Sequence, residues 1–198
     1  MSLSSEDLAR ANCYAVLARL FQAPPDASLL AALAGSVDAS ENADAALPKA
    51  WNELCAAAAG ETVDSVGAEF SALFVAIGRP KVVLYGSWYQ TGFMMEKPLA
   101  ALRDDLAALG LARHGEVRES EDHFAALLEA MRHLTGDMSR TEEERLALQH
   151  KFFLAHIDPW SEKLCTALDV AAEARLYRAA AKFARVFLSL EKYFFQVK

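Results

Sequence analysis

The stretch FFLAHIDPWSEKL, residues 152–164, ends one helical pattern and begins another within a few residues. His156 falls in a last helical turn, where a cationic side chain is favourable. Asp158 suits the N-cap of the next helix, and Pro159 then takes the first helical position, which tolerates proline. Trp160 follows on the apolar face of that second helix. The stretch therefore predicts a tight helix–helix corner with a buried tryptophan.

Helical periodicity extends outward from this corner over most of the chain. Apolar residues recur at i, i+3, i+4 and i+7, and the pair Thr141 and Glu144 forms a capping box directly before the corner helix. Nine glycines and six prolines are few for an all-β protein. The predicted helices are 4–21, a short one after Asp26, 48–59, 62–77, 96–110, 120–136, 141–156, 159–171 and 173–194, with a polar loop at 36–44. We predict an all-α fold, a single globular domain over residues 1–198 with about nine helices.

Charge and composition narrow the class of protein. The 27 Asp and Glu residues outnumber the 20 Lys and Arg residues, which gives a formal net charge of −7. This balance argues against a nucleic-acid partner, because phosphate contacts need clustered cations. The opening MSLSSEDLAR has no basic and apolar signal region, and no apolar run approaches the roughly 20 residues of a membrane span. Cys13, Cys55 and Cys165 are too dispersed for a zinc or disulfide framework, so we expect a cytoplasmic protein with buried free thiols.

Motifs for catalysis and cofactor binding are missing from the sequence. A di-iron bundle needs Glu-x-x-His elements, and the chain contains none. The loop Gly110–Gly115 begins like a phosphate-binding loop, but Glu116 and Val117 occupy the places of the required Lys and Ser or Thr. We therefore expect no catalytic residues, no metal and no cofactor, and a protein that is not an enzyme.

Two segments are unusual for an all-helical protein. The segment 81–93 is apolar and aromatic and lacks a helical period, so we expect an extended segment. Within it, Leu84 and Tyr85 are predicted to be core residues, and Trp88 and Tyr89 to lie at the surface as interface anchors. The other segment is Ser120-Glu121-Asp122-His123, which opens a helix. Ser120 is expected to cap that helix, which would leave Asp122 and His123 dispensable for folding.

These segments and the corner together resemble the TorD/DmsD family of redox-enzyme maturation chaperones, which includes the NarJ-like proteins. That family has a Tyr-x-Ser-x-Tyr-like element, then Pro-Asp-His followed by a helix with Glu and Met, then His-Leu-x-Pro-Trp. The corresponding stretches here are Tyr85-Gly86-Ser87-Trp88-Tyr89, then Glu121-Asp122-His123 followed by Glu129 and Met131, and then His156-Ile157-Asp158-Pro159-Trp160. The resemblance covers residues from about 5 to 195, with Glu121 in the place of the family's proline.

The resemblance implies an all-helical cytoplasmic chaperone. Its partner would be the twin-arginine signal peptide, or a related N-terminal segment, of the catalytic subunit of a molybdoenzyme, held until the cofactor is inserted. The implied peptide-binding residues are Tyr85, Ser87, Trp88, Tyr89, Asp122, His123, Glu129 and Met131. The implied hinge and structural motif consists of His156, Asp158, Pro159 and Trp160. The protein would be a monomer or a domain-swapped homodimer. Formate dehydrogenase, trimethylamine N-oxide or dimethyl sulfoxide reductase and nitrate reductase remain open as clients.

Two alternatives stay open beside this interpretation. One is a helical enzyme or a metal- or nucleotide-binding protein that uses Asp122, His123 and His156. It would be favoured by a stoichiometric ion in the purified protein or by tight nucleotide binding. The other is a structural helical subunit of a larger complex, which would be disfavoured if the protein is stable without a partner.

Overall fold

The computed structural model describes residues 3–37, 45–76, 78–111 and 119–197, and within these ranges the chain forms ten α-helices and no β-strand. The predicted all-α fold is confirmed. The helices are α1 Ser5–Gln22, α2 Ala27–Ala34, α3 Ala46–Ala59, α4 Val63–Phe74, α5 Gly86–Thr91, α6 Lys97–Ala108, α7 Phe124–Gly136, α8 Glu142–His156, α9 Asp158–Val170 and α10 Leu176–Val197.

The helix that the sequence did not predict is α5. The expectation of an extended segment over 81–93 is wrong from Gly86 onward, because the backbone coils there into a six-residue helix. A helix of six residues has fewer than two turns, which is too short to display a helical period in the sequence. Gly92, with φ of 83°, ends it in a left-handed conformation that favours glycine.

Of two N-caps predicted from the sequence, the structure confirms one and contradicts the other. The box at α8 is confirmed: the Thr141 N–H donates to a Glu144 carboxylate oxygen at 2.9 Å, and the Glu144 N–H donates to Thr141 Oγ1 at 3.3 Å. The predicted cap at Ser120 is wrong. Helix α7 begins three residues later than such a cap requires, at Phe124, and its N-cap is His123. A histidine is a rare cap, so the serine was the stronger sequence signal.

Three expectations fall wholly or partly outside the described residues. They concern the polar loop at 36–44, the placement of Ile77 on a helix face, and the glycine loop at Gly110–Gly115.

The chain divides into two compact units. Unit 1 comprises Met1–Gln22, Leu84–Ser161 and Lys192–Lys198, and unit 2 comprises Ala23–Val83 and Glu162–Glu191. The chain leaves unit 1 inside α9, directly after the predicted hinge at 156–160, and returns inside α10. The single domain over 1–198 stays a prediction.

Unit 2 contains a buried carboxylate at a helix start. Glu69 of α4 has a side chain that is 1% exposed, and its oxygens accept the N–H groups of Arg175, Leu176 and Tyr177 at 2.8, 3.3 and 2.9 Å. These N–H groups have no partner inside α10, and the positive end of the helix dipole favours a carboxylate there. Glu69 therefore connects α4 to the start of α10.

Unit 1 is organised by the packing of α1 against α7 and by a buried polar network. Arg10 of α1 donates to Asp7 at 3.1 Å and to Gln149 of α8 at 2.8 Å, and Arg145 of α8 donates to the other Asp7 oxygen at 3.2 Å. The rings of Phe194 and Phe195 lie 4.4 and 5.4 Å from the Arg10 guanidinium. Buried charges are tolerated when they are paired in this way.

Two of the three cysteines are buried, as predicted from the sequence. Cys55 and Cys165 are buried free thiols, and burial raises the pKa of Cys165 to about 12. The expectation for Cys13 is wrong, because Cys13 is half-buried. In the part of the chain that the structure describes, no helix combines the length and apolar character needed to cross a membrane.

Replacing Glu69 tests its role at the start of α10. Glu69→Ala is expected to lower the free energy of unfolding by about 3 kcal/mol, because three N–H groups lose a charged acceptor. Chemical denaturation measures the change. Asp64→Ala is the control, since Asp64 is an exposed first-turn acid of the same helix and should cost less than about 1 kcal/mol. Equal losses for the two variants would contradict the capping role.

Candidate functional site

The first two motifs meet through their backbones in unit 1. The Gly86 N–H donates to the Asp122 carbonyl at 3.0 Å, and the Phe124 N–H donates to the Leu84 carbonyl at 2.8 Å. These bonds form an isolated antiparallel bridge between Tyr85 and His123. The bridge places α5 directly beside the start of α7.

Asp122 holds the first turn of α5 in place through hydrogen bonds. The residue is 4% exposed, and one carboxylate oxygen accepts both the Ser87 N–H at 2.9 Å and the Ser87 hydroxyl at 2.6 Å. The Ser87 hydroxyl oxygen in turn accepts the Met95 N–H at 3.2 Å. Asp122 is thus the first member of a chain of hydrogen bonds that runs through α5 into the loop behind it.

His123 is held as a neutral acceptor. Its Nδ1 accepts the Ala125 N–H at 3.3 Å as the N-cap of α7, and the edge of the Tyr85 ring packs against it at 5.1 Å. Burial lowers the pKa of His123, which suits a ring that must keep one nitrogen unprotonated. The Tyr85 hydroxyl donates to Glu119, and burial raises the pKa of Tyr85 above its usual value.

Trp160 brings the third motif to the same place. Its indole is fully buried and lies flat against Tyr89 of α5, with ring centroids 5.5 Å apart, and edge-on to Phe124 at 5.5 Å. Its Nε1 donates to the His156 carbonyl at 2.7 Å. The predicted buried tryptophan at the corner is confirmed. A Cβ on Gly86 would lie 2.8 Å from the indole Nε1, so only glycine lets α5 approach this closely.

The rest of the corner is bound to neighbours within unit 1. His156 Nε2 lies 2.9 Å from an Asp105 oxygen, and Lys151 donates to the other oxygen at 2.7 Å. The Lys151 hydrogen bond is the main reason that the pKa of Asp105 lies below its usual value. Asp158 pairs with Lys192 at 2.9 Å and is the first residue of α9, where the sequence predicted an N-cap. Pro159 is exposed.

Ile157 explains the shifted start of α9. It is the single residue between α8 and α9, and its carbonyl accepts the N–H groups of Trp160 and Ser161 at 3.3 and 3.1 Å. The cap position therefore falls on Ile157 and not on Asp158. The hinge role of this corner stays a prediction.

The remaining predicted peptide-binding residues differ in exposure. Met131 is fully buried, whereas Glu129 is half-exposed and pairs with Arg132 at 2.7 Å. Trp88 and Tyr89 are half-buried, so part of each ring lies at the surface. A peptide role for these residues stays a prediction.

An exposed apolar loop, which was not predicted from the sequence, directly follows α5. Phe93, Met94 and Met95 are 68%, 44% and 72% exposed, and Met95 has a positive φ of 61°, a conformation that a long side chain rarely adopts. The consecutive pair Met94-Met95 was the available signal, since exposed methionines are typical of adaptable binding surfaces. We define Trp88, Tyr89, Phe93, Met94 and Met95 as the α5 platform.

Metal ligands do not gather here. Among residues 3–37, 45–76, 78–111 and 119–197, no group of three or more His, Cys, Asp or Glu side chains is placed to hold an ion. His156 has Asp105 as its partner, and the Asp122 carboxylate bonds to Ser87. These contacts give no support to a catalytic or metal site built from Asp122, His123 and His156.

Comparisons with known proteins agree with this all-helical site. The nitrate reductase delta subunit family matches residues 40–166, so the chain belongs to that family. The TorD/DmsD and NarJ-like resemblance is thereby confirmed. Two relatives from Vibrio cholerae serotype O1, strains O395 and M66-2, are named chaperone protein TorD. Each is 31% identical over 137 residues, covering 65% of this chain and 61% of its own length.

A solved structure supports the fold alone. It is a crystal structure from Archaeoglobus fulgidus, provisionally described as a redox enzyme maturation protein. It superposes with a TM-score of 0.57 at 16% identity and covers 92% of this chain and 93% of its own.

The contact between Gly86 and Trp160 can be tested with a matched pair of glycines. Gly86→Ala is expected to destabilise the fold by about 1–3 kcal/mol, because the methyl group would displace the indole or α5. Gly67→Ala in α4 has no atom within 4 Å of the added methyl group and should stabilise by about 0.5–1 kcal/mol. Thermal melting distinguishes the two, and a shift in the same direction for both would contradict the close approach.

A second pair of variants compares the buried carboxylate of Asp122 with the more exposed carboxylate of Glu129. Asp122→Ala is expected to lower the free energy of unfolding by about 2–4 kcal/mol, because the Ser87 N–H and hydroxyl lose their acceptor in a buried site. Glu129→Ala should change it by less than about 0.5 kcal/mol. If Asp122→Ala melts like wild type, Asp122 does not hold α5 in place, and the expectation that Asp122 is dispensable for folding is correct.

Proposed function

We propose that the protein is a chaperone that binds the twin-arginine leader, or a related N-terminal segment, of a molybdenum-containing oxidoreductase subunit, and that it delays export until the cofactor is inserted. Family membership and the similarity to relatives named as chaperones support the class. The observation that carries the proposal is the α5 platform, an exposed apolar surface fastened to the point where the three family motifs meet.

The platform has the chemistry of a peptide-binding surface. Its aromatic rings and thioether side chains are apolar, as an apolar leader segment requires. The flexible methionine side chains can also adapt to different leaders, whose sequences vary. Its backbone is held in place: Ser87 accepts the Met95 N–H, and Thr91 Oγ1 accepts the Phe93 N–H at 3.2 Å. A preformed surface binds with less loss of conformational freedom.

The buried motif residues take the role of a frame in this proposal. Asp122 and His123 fix the junction of α5 and α7, and Trp160 supports Tyr89 from the core side. Ser87 and Met131 belong to the same frame. Tyr85 also belongs to it, although it is half-buried and not the core residue that the sequence predicted. Trp88 and Tyr89 contact the apolar part of the leader, and Glu129 lies at the surface in its ion pair with Arg132.

Binding without catalysis is the proposed activity, in the cytoplasm, with no cofactor and with the client subunit as partner. The oligomeric state is proposed as a monomer or a homodimer that exchanges elements about residues 156–160. Light scattering during gel filtration distinguishes the two states.

Changes in the platform test the proposal directly. Met95→Gly is expected to leave the melting temperature unchanged or raised, because glycine adopts the positive φ without strain. The same change, combined with Met94→Ser, is expected to weaken binding of labelled leader peptides by about tenfold, because two apolar contacts are removed. Fluorescence anisotropy with leaders of molybdoenzyme subunits from the same genome measures the affinity.

The control is Val170→Ser, which removes an exposed apolar side chain outside the platform. Its leader affinity should match wild type. If wild type binds none of the leaders, the proposed function is wrong, and if the platform variant binds like Val170→Ser, the platform is not the binding surface.

A further inference from the structure

A second concave surface of unit 1 lies outside the three motifs. It is a groove of about 690 Å³ between α8 and the last turns of α10, which we name the α8–α10 groove. Its lining residues are Glu142, Glu143, Leu146, Ala147, His150 and Phe195. The volume falls within the range of about 300–1,000 Å³ typical of ligand sites.

The groove has a polar end and an apolar floor. Glu142 and Glu143 are exposed in the first turn of α8. Leu146 and Ala147 follow along the same helix, and Phe195 closes the floor from α10, with the His150 ring stacked on it at 5.6 Å. The Phe195 ring also packs against the Arg10 guanidinium, which lies 5.4 Å from the ring centroid.

The negative charge of this groove is not neutralised by the arginines around it. Arg145 points inward and pairs with Asp7, and Arg10 is shared between Asp7 and Gln149. For Glu142 and Glu143, the described residues provide no ion-pair partner. Helix-dipole stabilisation accounts for acids in a first turn, but not for their position at the rim of an apolar groove.

The carboxylates near the α5 platform, in contrast, already have hydrogen-bond or ion-pair partners. Asp122 is bonded to Ser87, Glu121 to Arg103 at 2.9 Å, and Glu129 to Arg132 at 2.7 Å. A guanidinium group of a ligand would have to displace an existing partner from each of them. The arginine pair of a leader therefore meets lower competition at the α8–α10 groove.

We infer that the α8–α10 groove binds the basic, arginine-bearing part of the client leader, with Glu142 and Glu143 receiving the guanidinium groups and the floor taking the adjoining apolar side chain. This inference rests on the proposed function and deepens it. Charge complementarity selects the occupant, because the groove combines two unpaired anions with an apolar floor, and a twin-arginine leader combines a basic start with an apolar stretch.

A double-mutant cycle tests the contact. Leader peptides with the arginine pair, and with both arginines replaced by glutamine, are titrated against wild type and against Glu142→Gln/Glu143→Gln. Removing the two acids is expected to weaken binding of the arginine peptide about five- to tenfold at low salt, the order expected for two exposed charge contacts. The same variant should bind the glutamine peptide as wild type does. Independent, additive losses would overturn the inference.

The control variant is Asp64→Asn/Asp104→Asn, which makes the same change in net charge at two exposed acids outside the groove. This control variant should keep wild-type affinity. If it loses as much affinity as the groove variant, the effect is due to net charge and not to the groove. Ala147→Trp, at an exposed lining position, should fill the groove and weaken binding of both peptides at an unchanged melting temperature. A wild-type protein that binds neither peptide overturns the proposed function as well, whereas wild-type binding with unaffected groove variants overturns the groove alone.

Discussion

The contact between the Trp160 indole and the backbone of Gly86 is the constraint on which the site depends. The indole occupies the space that any side chain at residue 86 would need, and its Nε1 is fixed by the His156 carbonyl. Helix α5 can approach the Trp160 indole only because residue 86 is a glycine. The position of the corner between α8 and α9 therefore determines the position of α5. The exposed surface behind α5 is in this way set by a buried residue more than sixty positions later.

Buried carboxylates perform the same structural task in both units. In unit 2, Glu69 accepts three N–H groups at the start of α10, and in unit 1, Asp122 accepts the backbone and hydroxyl donors of Ser87. A buried anion without donors would be strongly destabilising, so each carboxylate specifies one arrangement of the helices around it. Polar residues that form a family motif can therefore stabilise a binding surface without touching the ligand. In our proposal the ligand contacts come from residues outside the buried part of the motifs.

Sequence reasoning was strongest where one local signal decides the outcome. The capping box at Thr141 and the proline after Asp158 located α8 and α9 because caps and proline act within one helical turn. It failed at α7, where His123 caps the helix in place of Ser120, and at α5, whose six residues carry no period. The platform methionines were missed because their exposure depends on the bend after α5 and on the hydrogen bond that the Met95 N–H donates to Ser87, and neither follows from a helical period.

The sequence by itself determined the helical class, the corner at Trp160, the family resemblance and the acidic charge, because each follows from composition or from residues adjacent in the chain. Only the tertiary structure decided which of the motif residues are buried. Asp122 and Glu129 are both carboxylates in the same motif, yet one is enclosed by Ser87 and the other faces solvent beside Arg132. The physical reason is that burial and pairing depend on which distant segments pack together, and one helix face or turn does not specify those neighbours.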